Sequence, residues 1–515
     1  MISSAASCCC AATVSAKKPI YIYNGPSALY FASEMKAILR VVDHSSRVNE
    51  RAVFDYLMNG CRDLNNSTFY EDIISLPPAT LLRIKSKTEA QYSKFWELPS
   101  RNHAYQSATP NEVAKELRYL LEDAVKIRLR ADLKIGIELS GGLDSSAVAA
   151  MAKQSHRSPL TCFTVEFPQE QYNEEHYARA VASHLGMDYR VIQSPDRWFW
   201  SDVEDFVGLH EEPFHSPNLH TQQTVWRLMQ ESDIQVVLYG AGGDELFAGY
   251  RKEYFYPYLH DLLKARQFGA FTKNFLHFSE LSPFEIVAKA YSGWRGSNKT
   301  NALSARQMLG RRLANFSSTL HNGGSAAQQL YWNMTELKMP YWLRSNDKNS
   351  LAIPVEVRAP LLDYRLVELA FQLPLHLLMR DGWLKWILRK AVEDVLPPTI
   401  VWRRRKMGYP FPLQEWLTSS LPIVQTLLRE SDNPYVNRKF VGENLERWIA
   451  QQPDLVWRIV SLELWHRRFV SGKNILENKV HSAVGNHLVR EPAAPRMAVP
   501  RSAAMPQLVT TSALA

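Results

Sequence analysis

The residues with the clearest chemical capacity are Ser140-Gly141-Gly142-Leu143-Asp144-Ser145-Ser146. The run from Lys134 to Leu139 leads into them as a strand, and Ala147 to Ala152 reads as the helix that follows. A strand that enters a helix through a small, glycine-rich turn is an anion site. Glycines let the backbone close on a phosphate, and the first N–H groups of the helix point at it. Hydroxyls of Ser140, Ser145 and Ser146 can donate further hydrogen bonds. Asp144 is the odd member, because a carboxylate repels a phosphate unless a cation lies between them. That predicts Mg²⁺, a hard ion suited to oxygen ligands, held jointly by Asp144 and the phosphates. No Gly-Lys-Ser/Thr follows the glycines, which excludes a Walker loop. A serine-rich helix cap is the plainer reading of the same residues.

A second glycine turn ends in carboxylates: Tyr239-Gly240-Ala241-Gly242-Gly243-Asp244-Glu245-Leu246-Phe247-Ala248-Gly249-Tyr250, after the apolar Val236-Val237-Leu238. On its own it reads equally well as a solvated acidic helix start. Paired with the first loop it predicts that Asp144 and Asp244 share Mg²⁺ and neutralise a departing pyrophosphate. A third patch holds Asn346-Asp347-Lys348, then Val355-Glu356-Val357-Arg358-Ala359-Pro360-Leu361-Leu362-Asp363, then a helix start at Gly382-Trp383-Leu384-Lys385. By pattern alone Lys385 is a surface lysine, as most lysines are.

These loops need a scaffold that brings them to one edge. Strands are expected at residues 135–139, 160–165, 189–192 and 235–239, separated by helices, with an amphipathic helix at 114–129 ahead of them. Such alternation predicts an α/β fold, a doubly wound parallel sheet with helices on both faces. Ligands bind such sheets at the carboxyl ends of the strands, where both loops fall. The first hundred residues differ. They offer a hairpin over Asn24-Gly25-Pro26-Ser27 and another joining residues 80–84 to 90–95, with no chemistry of their own. After Tyr250 the chain reads as mostly helical.

The first loop resembles the pyrophosphate-binding Ser-Gly-Gly-x-Asp-Ser motif of ATP pyrophosphatases. The order of all three patches, with Lys385, resembles the glutamine-dependent asparagine synthetase family, from about Pro19 to Trp465. The resemblance implies an ATP pyrophosphatase-type sheet of five parallel strands and a helical C-terminal part. A partial α+β glutaminase domain of the N-terminal nucleophile type would precede them. It places the glutaminase-like part at 19–100 and the ATP-binding synthetase-like domain at 111–476, while composition itself reads as an irregular segment at 1–18, a polar linker at 101–110 and a disordered tail at 477–515. It also implies an ATP-dependent amide-forming ligase. A carboxylate, aspartate in the family, is adenylated with loss of pyrophosphate, and an amine from ammonia or glutamine displaces AMP. Matched position by position, Leu139, Val165, Tyr239 and Gly240 line adenine and ribose, and Ser140, Gly141, Gly142, Asp144 and Ser145 hold the phosphates. Asp144 and Asp244 hold Mg²⁺, and Lys385 stabilises charge in both transition states. Members often form homodimers.

Two departures qualify the resemblance. A family glutaminase uses an amino-terminal cysteine with its α-amine as base, whereas Ile2 follows Met1 here, and Cys8, Cys9 and Cys10 are poor replacements. Glutamine hydrolysis by this chain is therefore not expected, whether the reading frame begins too late or the protein uses another amine. The second departure is Ala241, where asparagine synthetases usually carry a Glu that takes a proton from ammonia. Alanine is no base. The family also includes enzymes forming β-lactams and lasso-peptide rings. A specialised acceptor, through cyclisation or peptide or sugar amidation, thus stands beside asparagine as product. A non-catalytic nucleotide-binding homologue is a third reading.

Composition narrows the class. With 515 residues, 46% hydrophobic and 22% charged, the chain is too long for one ordinary core and has a globular balance. No apolar run suits a bilayer and the start is a poor signal peptide, so no membrane partner is expected. Five cysteines make no disulfide framework, and the cytoplasm is the expected compartment. The net charge of +8 is spread out, apart from Arg403-Arg404-Arg405-Lys406. That run reads equally as a solvated face or as a clamp on a polyphosphate leaving group. Nucleic acid is not an expected partner. A tRNA-modifying pyrophosphatase would need a catalytic cysteine, and Cys162 reads as buried and structural.

Overall fold

The computed structural model describes residues 8–13, 18–26, 28–42, 47–85, 90–100, 105–156, 158–167, 169–193, 199–278, 282, 284–285, 305–318, 324–404, 411–473 and 497–498. Its first strands are β1 (Cys8–Ala11), β2 (Tyr21–Asn24), β3 (Leu29–Ala32), β4 (Ile73–Ser75), β5 (Thr80–Ile84) and β6 (Ala90–Lys94). They form two three-stranded sheets, ordered β1-β5-β6 and β3-β2-β4. Both expected hairpins are present: β2 pairs with β3 from Tyr21↔Ala32 to Asn24↔Leu29, and β5 pairs with β6 from Thr80↔Lys94 to Ile84↔Ala90. The irregular N terminus expected at 1–18 is corrected in part. Strand β1 pairs antiparallel with β5, from Cys8↔Ile84 to Ala11↔Leu81. An unpaired β5 edge is a template for another strand, and Cys10 of β1 joins Leu82 and Ile84 in a small core.

The rest of the chain builds the larger unit. Its elements include α1 (Pro110–Arg128), β7 (Ile135–Glu138), α2 (Leu143–Ser155), β8 (Thr161–Glu166), β9 (Asp188–Gln193), α3 (Asn218–Glu231), β10 (Val236–Leu238), α4 (Gly243–Phe247), α5 (Met339–Leu351), β11 (Glu356–Arg358), α6 (Trp386–Val392) and α7 (Pro453–Trp465), with further helices between. The strand order is β11-β10-β7-β8-β9, all parallel, with the two-residue β12 (Met497–Ala498) antiparallel on the β9 edge. Apart from β12, the tail expected at 477–515 lies outside the described residues. Helices α1, α2 and α6 pack on one face through Leu117, Leu121, Val148 and Ile387. Helix α3 covers the other through Val225, Trp226 and Met229. All four residues of β7 are buried, as a strand covered on both faces requires.

Helix α1 starts within the expected linker, at Pro110. Thr109 and Glu112 form a reciprocal capping box there, and proline is suited to the first turn. Beyond that small core, the first segment packs its larger aromatic residues into a core shared with the rest of the chain. Tyr21, Phe54, Tyr56, Phe69 and Tyr70 share one cluster with Trp457 and Trp465 of α7. The Trp465 ring meets Phe69 and Tyr70 at centroid distances of 5.5 and 5.8 Å. C-terminal helices thus cover apolar surface that an isolated half-sandwich would expose.

Charge is also buried along this seam. Arg344 of α5 lies 2.6 Å from Asp63 and 2.8 Å from Glu212, and Lys348 lies 2.5 Å from Glu211. All these side chains are nearly inaccessible. Removing one partner of a buried ion group leaves uncompensated charge, so Arg344→Met is expected to destabilise the protein by about 3–5 kcal/mol. Denaturant melts of the two proteins measure the difference.

Candidate active site

Strands β7 and β10 are neighbours in register, Val236↔Ile135 to Leu238↔Ile137, so both glycine loops leave the same sheet edge. They touch closely. A Cβ on Gly240 would lie 2.5 Å from the Ser145 amide nitrogen, and one on Gly243 would lie 2.4 Å from the Asp144 carboxyl carbon. Only glycine permits that approach. Inside the first loop, the Ser140 N–H donates to Ser145 Oγ (3.2 Å) and the Gly142 N–H donates to Ser140 Oγ (3.3 Å). The serine side chains therefore fix the turn that aims the helix α2 amides.

Lys385 closes the arrangement. Its Nζ lies 2.5 Å from Asp144 Oδ2 and 2.7 Å from Asp244 Oδ1, and its side chain is 3% exposed. It caps the N terminus of α6 with φ +53°, left-handed for a residue with a Cβ. Strain of this kind is found where the surroundings over-determine a working residue. The surface position that the pattern alone gives Lys385 is not what the fold adopts.

A cavity of 430 Å³ opens beside this trio. Of the expected site residues, Leu139, Ser140, Gly142, Asp144, Ser145, Val165, Tyr239, Gly240 and Asp244 line it. Gly141 turns away, at φ +74°, against Tyr177 and Ala178, and Lys385 reaches the two carboxylates without lining the cavity. Ser146, read as another hydroxyl donor, is fully buried and outside the lining. Ala241 lines the cavity.

Several lining residues were missed by sequence reasoning. Glu138, the last residue of β7, has both carboxylate oxygens within 2.8 and 2.7 Å of Gln222 Nε2, and Oε2 also accepts from Trp226 Nε1 at 3.0 Å. Burial raises its pKa, and the donors from Gln222 and Trp226 oppose the rise. Its signal was a carboxylate in a strand whose neighbours predict no solvent on either face. Glu245 is raised by burial and by neighbouring Asp244, and accepts from Tyr250 Oη at 2.7 Å. His215, exposed to solvent, also lines the cavity. Arg403 settles part of the basic run. It pairs with Glu174 on the cavity wall and stacks 3.7 Å above Tyr177, so it is no solvated residue. Arg405 and Lys406 lie outside the described residues.

The donor set suits Mg²⁺. Asp144 Oδ1 is buried without a hydrogen-bond partner, beside a second carboxylate. Among the described residues no group of three or more His, Cys, Asp or Glu gathers to hold a metal. Mg²⁺ characteristically uses one or two carboxylates and completes its shell with phosphates and water.

The fold is an open parallel sheet that brings two facing glycine loops, paired aspartates and a buried lysine to one edge. Comparison with known proteins gives the class. The family model described as asparagine synthase matches residues 116–467, and the one described as a glutamine amidotransferase domain matches residues 13–96. The chain belongs to the asparagine synthase family and is an ATP-dependent amide-forming ligase. It is 25% identical over 494 residues to glutamine-hydrolyzing asparagine synthetase 1 of Bacillus subtilis (strain 168), covering 90% of this chain and 76% of that protein. It is 25% identical over 501 residues to asparagine synthetase 3 of the same organism, covering 88% and 75%. A solved NMN synthetase from Francisella tularensis is 17% identical, with a TM-score of 0.20 over 28% of this chain and 59% of that one, too partial a likeness to bear on the fold. Among the described residues no helix is long and apolar enough to cross a membrane.

Proposed function

We propose that this cavity joins a substrate carboxylate to ATP as an acyl adenylate, and that an amine then takes the acyl group. In the first step a carboxylate oxygen attacks the α-phosphorus, the α–β phosphoanhydride bond breaks and pyrophosphate leaves. In the second the amine nitrogen attacks the acyl carbon, the C–O bond to AMP breaks and the amine loses a proton. The observation that carries this reading is the buried Lys385 ammonium between Asp144 and Asp244. Bound Mg²⁺ would neutralise charge gathering on the pyrophosphate. The Ser140 loop would hold that leaving group, with Gly142, Asp144 and Ser145 at its lip. Leu139 and Val165 would flank adenine, and Tyr239 and Gly240 the ribose. Lys385, fixed behind the two carboxylates, supplies positive charge where negative charge develops.

The test is Mg²⁺-dependent pyrophosphate release from ATP. Asp144→Asn is expected to reduce it at least about 10²-fold, the scale of a lost transition-state contact. An unchanged rate in that variant would remove Asp144 from the site.

Ala241 on the cavity wall favours an acceptor other than free aspartate with ammonia, because the position contributes no base. Pyrophosphate release with aspartate and ammonia, compared with larger carboxylates and tethered amines, separates the two. Rescue of an asparagine auxotroph by this protein would return the reading to asparagine.

A further inference from the structure

Glu138 is out of place by the ordinary rules of its sheet. Parallel strands covered on both faces are apolar, because a charged side chain there has no water. Yet Glu138 lies 8% exposed at the carboxyl end of β7. Neutral donors hold it: the amide of Gln222 and the indole of Trp226. Both come from α3, so the carboxylate is oriented by one helix and, among the described residues, neutralised by no ion pair. Oε2 accepts two of these bonds and Oε1 one, which leaves Oε1 an acceptor position. Glu138 is one of the residues lining the cavity. Glu138 pairs with Phe163 across β7 and β8, and Val165 stands two residues further along β8 on the same face. An oriented acceptor therefore sits beside Val165 and next in chain to Leu139.

We infer that Glu138 reads the nucleobase, accepting a hydrogen bond from a base that carries an exocyclic amino group. This rests on the proposed placement of adenine against Leu139 and Val165. A carboxylate offers lone pairs only, so it favours the 6-amino group of adenine and repels the 6-oxo group of hypoxanthine. A site built to pair with a donor rejects the analogue lacking it far better than an apolar slot rejects a small change in size. Gln222 and Trp226 are positioning residues for the carboxylate.

The experiment compares AMP with IMP for binding by calorimetry, and ATP with ITP for pyrophosphate release, in the wild-type chain and in Glu138→Gln. Wild type is expected to prefer the amino base by at least about tenfold in both assays, the scale of one hydrogen bond to a charged group. Glu138→Gln, whose amide can donate as well as accept, is expected to lose about tenfold with ATP, to lose little with ITP, and so to collapse the preference. Equal affinity of the wild type for AMP and IMP would overturn the inference without calling on any variant. So would an ATP-to-ITP ratio unchanged in Glu138→Gln. Wild-type protein that binds neither nucleotide and releases no pyrophosphate would instead bring down the adenylation reading itself, and the present inference with it.

Discussion

Replacing Lys385 by alanine lowers ATP-dependent pyrophosphate release by about 10³-fold, the upper range for removing one preorganised charge-stabilising group. Two effects combine. The positive charge behind the two carboxylates is lost, and the carboxylates that it held at 2.5 and 2.7 Å are left to repel each other. The Lys385 side chain is 3% exposed, while those of Asp144 and Asp244 are 14% and 17% exposed. Water can reach the carboxylates in part, so the expected stability loss is about 1–3 kcal/mol, below that for a fully buried pair. Lys385→Gly separates chemistry from backbone. Glycine accepts the left-handed φ of +53° without a Cβ penalty. It should retain about 1 kcal/mol more stability than alanine and lose the same activity. Pyrophosphate assays and denaturant melts on the three proteins give both numbers. Activity in Lys385→Ala within tenfold of wild type would make the lysine structural.

How much of this site was legible depends on how local each signal is. The Ser140 loop and the Asp244 loop were readable because each is a short run. Their meeting was readable because adjacent parallel strands deliver successive loops to one edge. Lys385 was readable only through resemblance. Its approach to the site depends on the left-handed turn through Asp381, Gly382 and Lys385, which no periodicity announces. Glu138 was overlooked because one polar residue in a strand looks like an outward-facing position. The sheet order turns that face toward α3 and removes the water. Arg403 was ambiguous because a run of basic residues does not say which of its members points inward. The shared aromatic core between the first strands and α7 was invisible for another reason: its partners lie almost four hundred residues apart, as Tyr70 and Trp465 do. Contacts at that separation are set by topology, not by local pattern.

Gly249→Ala places the second large effect at the same trio, by a different physical route. A Cβ on Gly249 would lie 1.8 Å from Asp244 Oδ1 and 2.3 Å from Lys385 Cε. The Gly249 backbone is outside the left-handed region, so alanine meets no conformational penalty there. The atoms in its way are side-chain atoms of Asp244 and Lys385, which can move aside. The fold therefore survives, at an expected cost of about 1–3 kcal/mol for overpacking. The site does not survive, because the atoms that move are the ones proposed to do the chemistry. A displacement of about 1 Å in such groups is expected to lower activity about 10²-fold. Gly242→Ala is the useful contrast. Its φ of +93° and a Cβ position 2.3 Å from Leu362 Cδ2 strain the backbone and the core packing together, so stability should fall further there than in Gly249→Ala. A Gly249→Ala protein that melts near wild type and releases pyrophosphate within threefold of it would show that the Asp244–Lys385 contact is not the working geometry.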